Sequence, residues 1–162
     1  MNRSRRTYVR YSMWEFNGLP LHPLVVHAAV VLGPLAAIAA IAYVALPRYR
    51  DWLRWVALIS VLLATVAIWA AYLTGENFYD HGNFDQFSKE IQDRIQTHEN
   101  YARTLRWITT GFALVTILAT WLHTRTGAVR VVLNVLVVVG AVLTLVWVAL
   151  TGDAGARAVW GK

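Results

Sequence analysis

LVVHAAVVLGPLAAIAAIAYVAL, residues 24–46, runs its whole length without an Asp, Glu, Lys or Arg. A bilayer core demands roughly 20 apolar residues of a helix, and this run meets that length. The only other home for such a segment is the interior of a large soluble protein. A chain of 162 residues that is 57% hydrophobic and 15% charged has no interior of that size. Three further apolar runs follow, at 55–74, 107–122 and 129–151. The third is short, but an amphipathic stretch before it supplies the missing turns, so the span is read as 98–122. The predicted fold class is all-α: an integral membrane four-helix bundle with an amphipathic helical extension before the third span. A basic tail, 1–18, precedes a single four-span domain, 19–162. A cleaved signal peptide is disfavoured, because the first apolar run is too long for an h-region and lies behind more than twenty residues. No internal repeat stands out.

The chain has no cysteine, which excludes thiolate-held iron–sulfur clusters, c-type haem attachment, disulfides and thiol redox chemistry. Any metal must take nitrogen or oxygen ligands. The net charge of +6 points to lipid headgroups and topology rather than nucleic acid, since the cations sit in tails and loops beside spans. Arg48, Arg50, Arg54, Arg125 and Arg130 face one acid, Asp51, on one side of the bundle, which the positive-inside rule makes cytoplasmic. Both termini and the 75–106 loop are then extracytoplasmic, in a multi-pass protein of the inner or plasma membrane. Arg3, Arg5, Arg6 and Arg10 of the tail run against that orientation.

In NFDQFSKEIQDRIQTHENYARTLRW, residues 83–107, Phe84, Phe87, Ile91, Ile95 and His98 recur at helical steps, and Asn83 or Asp85 is placed to cap the start. This is read as a packing face before a lipid-sensing one. Trp14, Trp52, Trp55, Trp107, Trp121 and Trp160 fall near span ends, where an indole buries its ring and keeps a partner for its N–H.

Polar side chains inside spans are costly and should face inward. At 100° per residue His98, Thr109, Thr116 and Thr120 share one face of the third helix with Leu105, and Thr65, Trp69, Tyr72 and Glu76 share one of the second. Gly140, Thr144, Trp147 and Thr151 line the fourth, leading into TGDAGARAVW, 151–160, where Gly152 and Gly155 suggest a tight turn around Asp153. Ala29, Gly33, Ala36 and Ala40 give the first span a small-residue face, and Pro34 a candidate kink. His22, His27, Glu76, His98 and Asp153 thus gather at one end, the candidate site. His22, before Pro23, is expected at the helix cap as an interfacial residue. His27, a turn inside, is expected to meet His98. His81 and His123 are expected to be solvated, and Glu76 to partner His98, an arginine or a helix end.

The stretches LPLHPLVVHAAVVLGPLAA at 19–37, PRYRDWLRW at 47–55, TGE at 74–76, the histidine opening the third span and GARAVW at 155–160 resemble the actinobacterial branch of the domain-of-unknown-function 2231 family, small four-span bacterial membrane proteins. The resemblance covers most of the chain beyond residue 18. It implies a redox context, with fusions to Rieske-type domains in the family. Where that branch leads one to expect Gly-His-Ser-Gly-Ala, this chain has Gly152, Asp153, Ala154, Gly155, and aspartate is a poor axial ligand for haem iron.

Three functions fit the residues. One is a non-covalent b-type haem with His27 and His98 as axial ligands. Another is a cofactor-free accessory or structural subunit of a larger membrane complex, with its polar stripes as helix contacts to other subunits or to a second copy. A third is a mononuclear zinc or copper site from His22, His27, His98 and Asp153. No phosphate loop, nucleophile motif or H-E-x-x-H pair is present, so the chain reads as non-enzymatic.

Overall fold

The computed structural model describes residues 15–16, 19–81 and 86–161. Most of the basic tail, Trp14, Asn83, Phe84 and Asp85 lie outside the described residues, as does the side chain of His81. Two short strands, β1 (Glu15–Phe16) and β2 (Leu19–Pro20), pair antiparallel and lead into four helices. These are α1 (Leu21–Ala45), α2 (Arg50–His81), α3 (Lys89–Trp121) and α4 (Ala128–Trp160), with one 3-10 turn at Pro47–Tyr49 between α1 and α2. Ser88 caps α3, its hydroxyl accepting from the Ile91 amide at 3.4 Å. Gly127 opens α4 at a φ of 69°, a left-handed conformation that glycine adopts without steric cost.

Each helix continues past its apolar run. Proline lacks an N–H, but in the first turn of a helix that donor has no partner anyway. The α1 helix therefore starts at Leu21, before Pro23 rather than after it, and it continues through Pro34. The expected turn at 151–160 is absent: α4 is helical through Gly152 and Gly155 to Trp160. Three stretches, Leu21–Ala45, Pro47–Asp80 and Ala128–Trp160, are long and apolar enough to cross a membrane. Large apolar side chains such as Val31, Ile38, Val66, Leu114 and Val131 stay exposed on all four helices. An apolar circumference of this extent belongs in lipid.

Helix contact inside lipid gains little from hydrophobicity and depends on close packing of small residues. The centre is built that way, with Ala36, Ala37, Ala40, Ala57 and Ala141 fully buried. Two of its threonines hide their hydroxyls in their own helix, Thr109 donating to Leu105 O at 3.0 Å and Thr116 to Phe112 O at 2.8 Å, whereas the buried hydroxyls of Thr120 and Thr144 have no partner. The small face of α1 and the threonine stripe of α3 are thus where the periodicity puts them.

The strongest seams are α1 with α2 and α3 with α4, followed by α2 with α3 and α1 with α4, so α1 and α3 are diagonal. The two hairpins repeat one burial register. Ala29, Gly33, Ala36, Ala37, Ala40 and Tyr43, the buried set of α1, shifted by 76 become Leu105, Thr109, Phe112, Ala113, Thr116 and Ala119, all buried in α3. Leu53, Ala57, Val61, Ala64, Ile68 and Thr74 of α2, shifted by 80, become the six buried residues of α4, from Leu133 to Ala154. The fold thus repeats one helical hairpin, a structural duplication that is partial in α2, where Ala67, Ala71 and Tyr72 are buried without a buried counterpart in α4.

Candidate functional site

His22 lies in the first turn of α1 and reaches across to α2. Its Nδ1 is 2.9 Å from Ala71 O and 3.4 Å from Thr74 Oγ1. The ring lies on Gly75, where a Cβ would stand 2.9 Å from its Cε1. In the other hairpin, His98 of α3 places Nδ1 2.9 Å from Thr151 O of α4. Its ring lies on Gly155, where a Cβ would stand 3.0 Å from both Cε1 and Nδ1. In each hairpin the bonded carbonyl belongs to the residue four before the glycine. Both histidines are thus seated by one device, at equivalent places in the duplication.

A backbone carbonyl can only accept, so each Nδ1 carries the proton and donates. In the neutral ring Nε2 then holds the lone pair. The two rings meet at the end of the bundle, centroids 6.4 Å apart and planes at 75°. Phe78 stacks on the outer side of His22 at 6.3 Å and 14°. Below His98 lies an apolar cavity of about 60 Å³, lined by residues of all four helices, among them Ala29, Ile68, Leu105 and Val148.

His27 does not join this pair. It is exposed on the outer face of α1, and its Nδ1 turns back to Pro23 O at 2.5 Å, one turn earlier in the same helix. Because α1 begins at Leu21, the inward position falls to His22, and the expected pairing of His27 with His98 is corrected to His22 with His98. Glu76 is exposed and accepts the Tyr72 hydroxyl within α2. Asp153, helical rather than in a turn, pairs with Arg157 at 2.7 Å on an exposed face. Neither is bonded to a histidine. Among the described residues no group of three or more His, Asp or Glu is placed to hold a metal ion, so the four donors His22, His27, His98 and Asp153 do not converge.

The α2 stripe serves a different neighbour. Trp69 Nε1 donates to Thr110 Oγ1 at 3.0 Å, and Trp69, Tyr72 and Trp107 surround the Arg106 guanidinium at 5.1, 3.8 and 5.5 Å from their ring centroids. This cation–π cradle also explains why Trp107 has a role beyond anchoring. At the far end His123 is half-buried between Arg54 and Asp51 rather than solvated.

The glycine seats are the part that residue-by-residue reading misses. Thr-Gly at 74–75 holds the first seat, but its repeat at 151–152 is not the second, which is Gly155.

These features define a class: a small all-α membrane protein made of two like hairpins, each carrying one seated imidazole at the same end. The chain belongs to the DUF2231 family, described as predicted membrane proteins, whose family model matches residues 18–162. No curated protein and no solved structure matches the chain.

Proposed function

We propose that the protein is a redox-associated membrane subunit in which His22 and His98 would hold a b-type haem. The carrying observation is the 6.4 Å between ring centroids with both Nδ1 atoms tied to backbone carbonyls. Metal-bound histidines commonly donate their second nitrogen in this way, which fixes the tautomer and aims the lone pair. Zinc wants four donors, and two imidazoles alone do not supply them.

The cavity of about 60 Å³ is too small for a macrocycle, which counts against the haem. That observation favours a second reading: a cofactor-free subunit of a larger complex, in which the same imidazole bonds lock each hairpin. In both readings residues 19–162 form one four-span domain. The α3 helix crosses in contact with α2 and α4, which cover Thr109 and Thr116. The arginine-rich end is cytoplasmic, and both termini and the 75–106 loop are extracytoplasmic.

Visible spectroscopy and pyridine haemochrome analysis of protein purified from native membranes test the haem. A Soret band lost in His22→Ala and in His98→Ala, and kept in His27→Ala, is expected. A colourless, folded preparation would overturn it in favour of the subunit, and the copurifying proteins then identify the complex.

A further inference from the structure

We propose that the end of the bundle opposite the histidine pair holds a site for the phosphate of an anionic phospholipid, formed by Arg50 and Arg54 of α2, His123 after α3, and Arg130 of α4. The argument starts from charge placed where the fold's own field opposes it. Helix N-termini carry partial positive charge and favour anions. Yet α2 begins with Arg50 and has Arg54 one turn on, and α4 has Arg130 in its first turn. Arg50 and Arg130 are separated by the same shift of 80 that relates α2 to α4, so each hairpin carries a cation at the equivalent helix start. Arg48 and Arg125 add to them, and the one nearby acid, Asp51, has a side chain 91% exposed and 3.7 Å from His123 Nε2.

The guanidinium groups are bonded to neutral acceptors. Arg50 donates to Tyr43 Oη at 3.2 Å and to Asn134 Oδ1 at 2.6 Å, and Arg54 donates to the His123 ring at 2.7 Å. The Nε atoms of both arginines are buried and have no hydrogen-bond partner. A buried donor without an acceptor is costly, more so when charged, and on turning outward each guanidinium fork would match phosphate oxygens with its Nε and Nη together.

Position selects a lipid as the source of that phosphate. Tyr49, Trp52 and Trp55 are exposed at the same level, in the manner of aromatic side chains at a headgroup interface. Arg48 lies over Tyr49 and Arg54 over Trp55. Just beyond, Ile59 and Val131 present exposed apolar surface for acyl chains. Basic pockets between helices at the cytoplasmic face suit anionic headgroups.

The test uses full-length protein, delipidated in a neutral detergent, with added phosphatidylglycerol, phosphatidylcholine or inorganic phosphate. Native mass spectrometry should retain one phosphatidylglycerol per chain, and that lipid should raise the Tm by about 5 °C beyond phosphatidylcholine. Arg54→Gln should lose most of that shift, while Arg103→Gln, near the other end, keeps it. If Arg54→Gln does not fold, Arg130→Gln, whose Nε contact is to the backbone of Arg125, gives the same reading. Equal shifts from the two lipids, an equal shift from inorganic phosphate alone, or a full shift in the arginine variant each overturn the assignment.

Discussion

Gly75→Ala puts a single methyl group against the seat of His22. An alanine Cβ at that position stands 2.9 Å from Cε1 and 3.1 Å from Nδ1 of the imidazole, closer than packed atoms tolerate. The ring cannot retreat without giving up its 2.9 Å bond to Ala71 O. Relief of glycine's helix penalty favours the variant by about 1 kcal/mol. Overpacking costs about 1–3 kcal/mol, and loss of the hydrogen bond adds about 1 kcal/mol. The expected net destabilisation is therefore roughly 1–3 kcal/mol. In a His22→Ala background nothing remains to collide with, and the same substitution should stabilise by about 1 kcal/mol. The coupling, roughly 2–4 kcal/mol, is read from reversible unfolding in mixed micelles, followed by the fluorescence of the eight tryptophans. Gly111→Ala, where a Cβ meets nothing within 4 Å, supplies the pure helix-propensity baseline. If Gly75→Ala changes stability equally with and without His22, the glycine is not a seat and the reasoning fails.

Three more outcomes follow from single contacts. Tyr43→Phe removes a buried hydroxyl that donates to Ala119 O and accepts from Arg50; it should cost about 1–2 kcal/mol by the same unfolding assay, and a change below the experimental scatter would show that neither bond matters. Thr144→Val replaces a fully buried hydroxyl with no partner by an isosteric methyl; a rise in stability of about 1 kcal/mol is expected, and a loss would mean that the hydroxyl is bonded. His27→Ala changes an exposed ring bonded only to its own helix, so its stability should stay within about 0.5 kcal/mol of the parent; a drop as large as that of His22→Ala would return His27 to the site.

The spans and their inward faces were legible because lipid imposes a strong rule on them. Ala29, Gly33, Ala36 and Ala40 on α1, and Thr109, Thr116 and Thr120 on α3, stand at helical spacing and are buried. The histidine pair was only half legible. His98 follows from its stripe. His27 stands about 160° from Ala29, facing away from the small-residue face wherever α1 begins, and His22 joins that face only because the helix reaches back through Pro23 to Leu21. Asp153 was misplaced because glycines at 152 and 155 signal a turn, whereas Gly155 gives room to a ring from another helix. The duplication stayed hidden for a different reason. Gly33 answers to Thr109, Ala36 to Phe112 and Tyr43 to Ala119, so only a few residues, among them His22 with His98 and Gly75 with Gly155, are shared, and the offset moves from 76 to 80 at the hairpin turn.

Two hairpins with one burial register present matching surfaces to each other, and the covalent link between them, 82–88, is short compared with the helices it joins. The α2–α3 and α1–α4 seams are alike, and the histidine pair draws one ring from each hairpin. The pair therefore reports directly on whether the two hairpins are docked at that end.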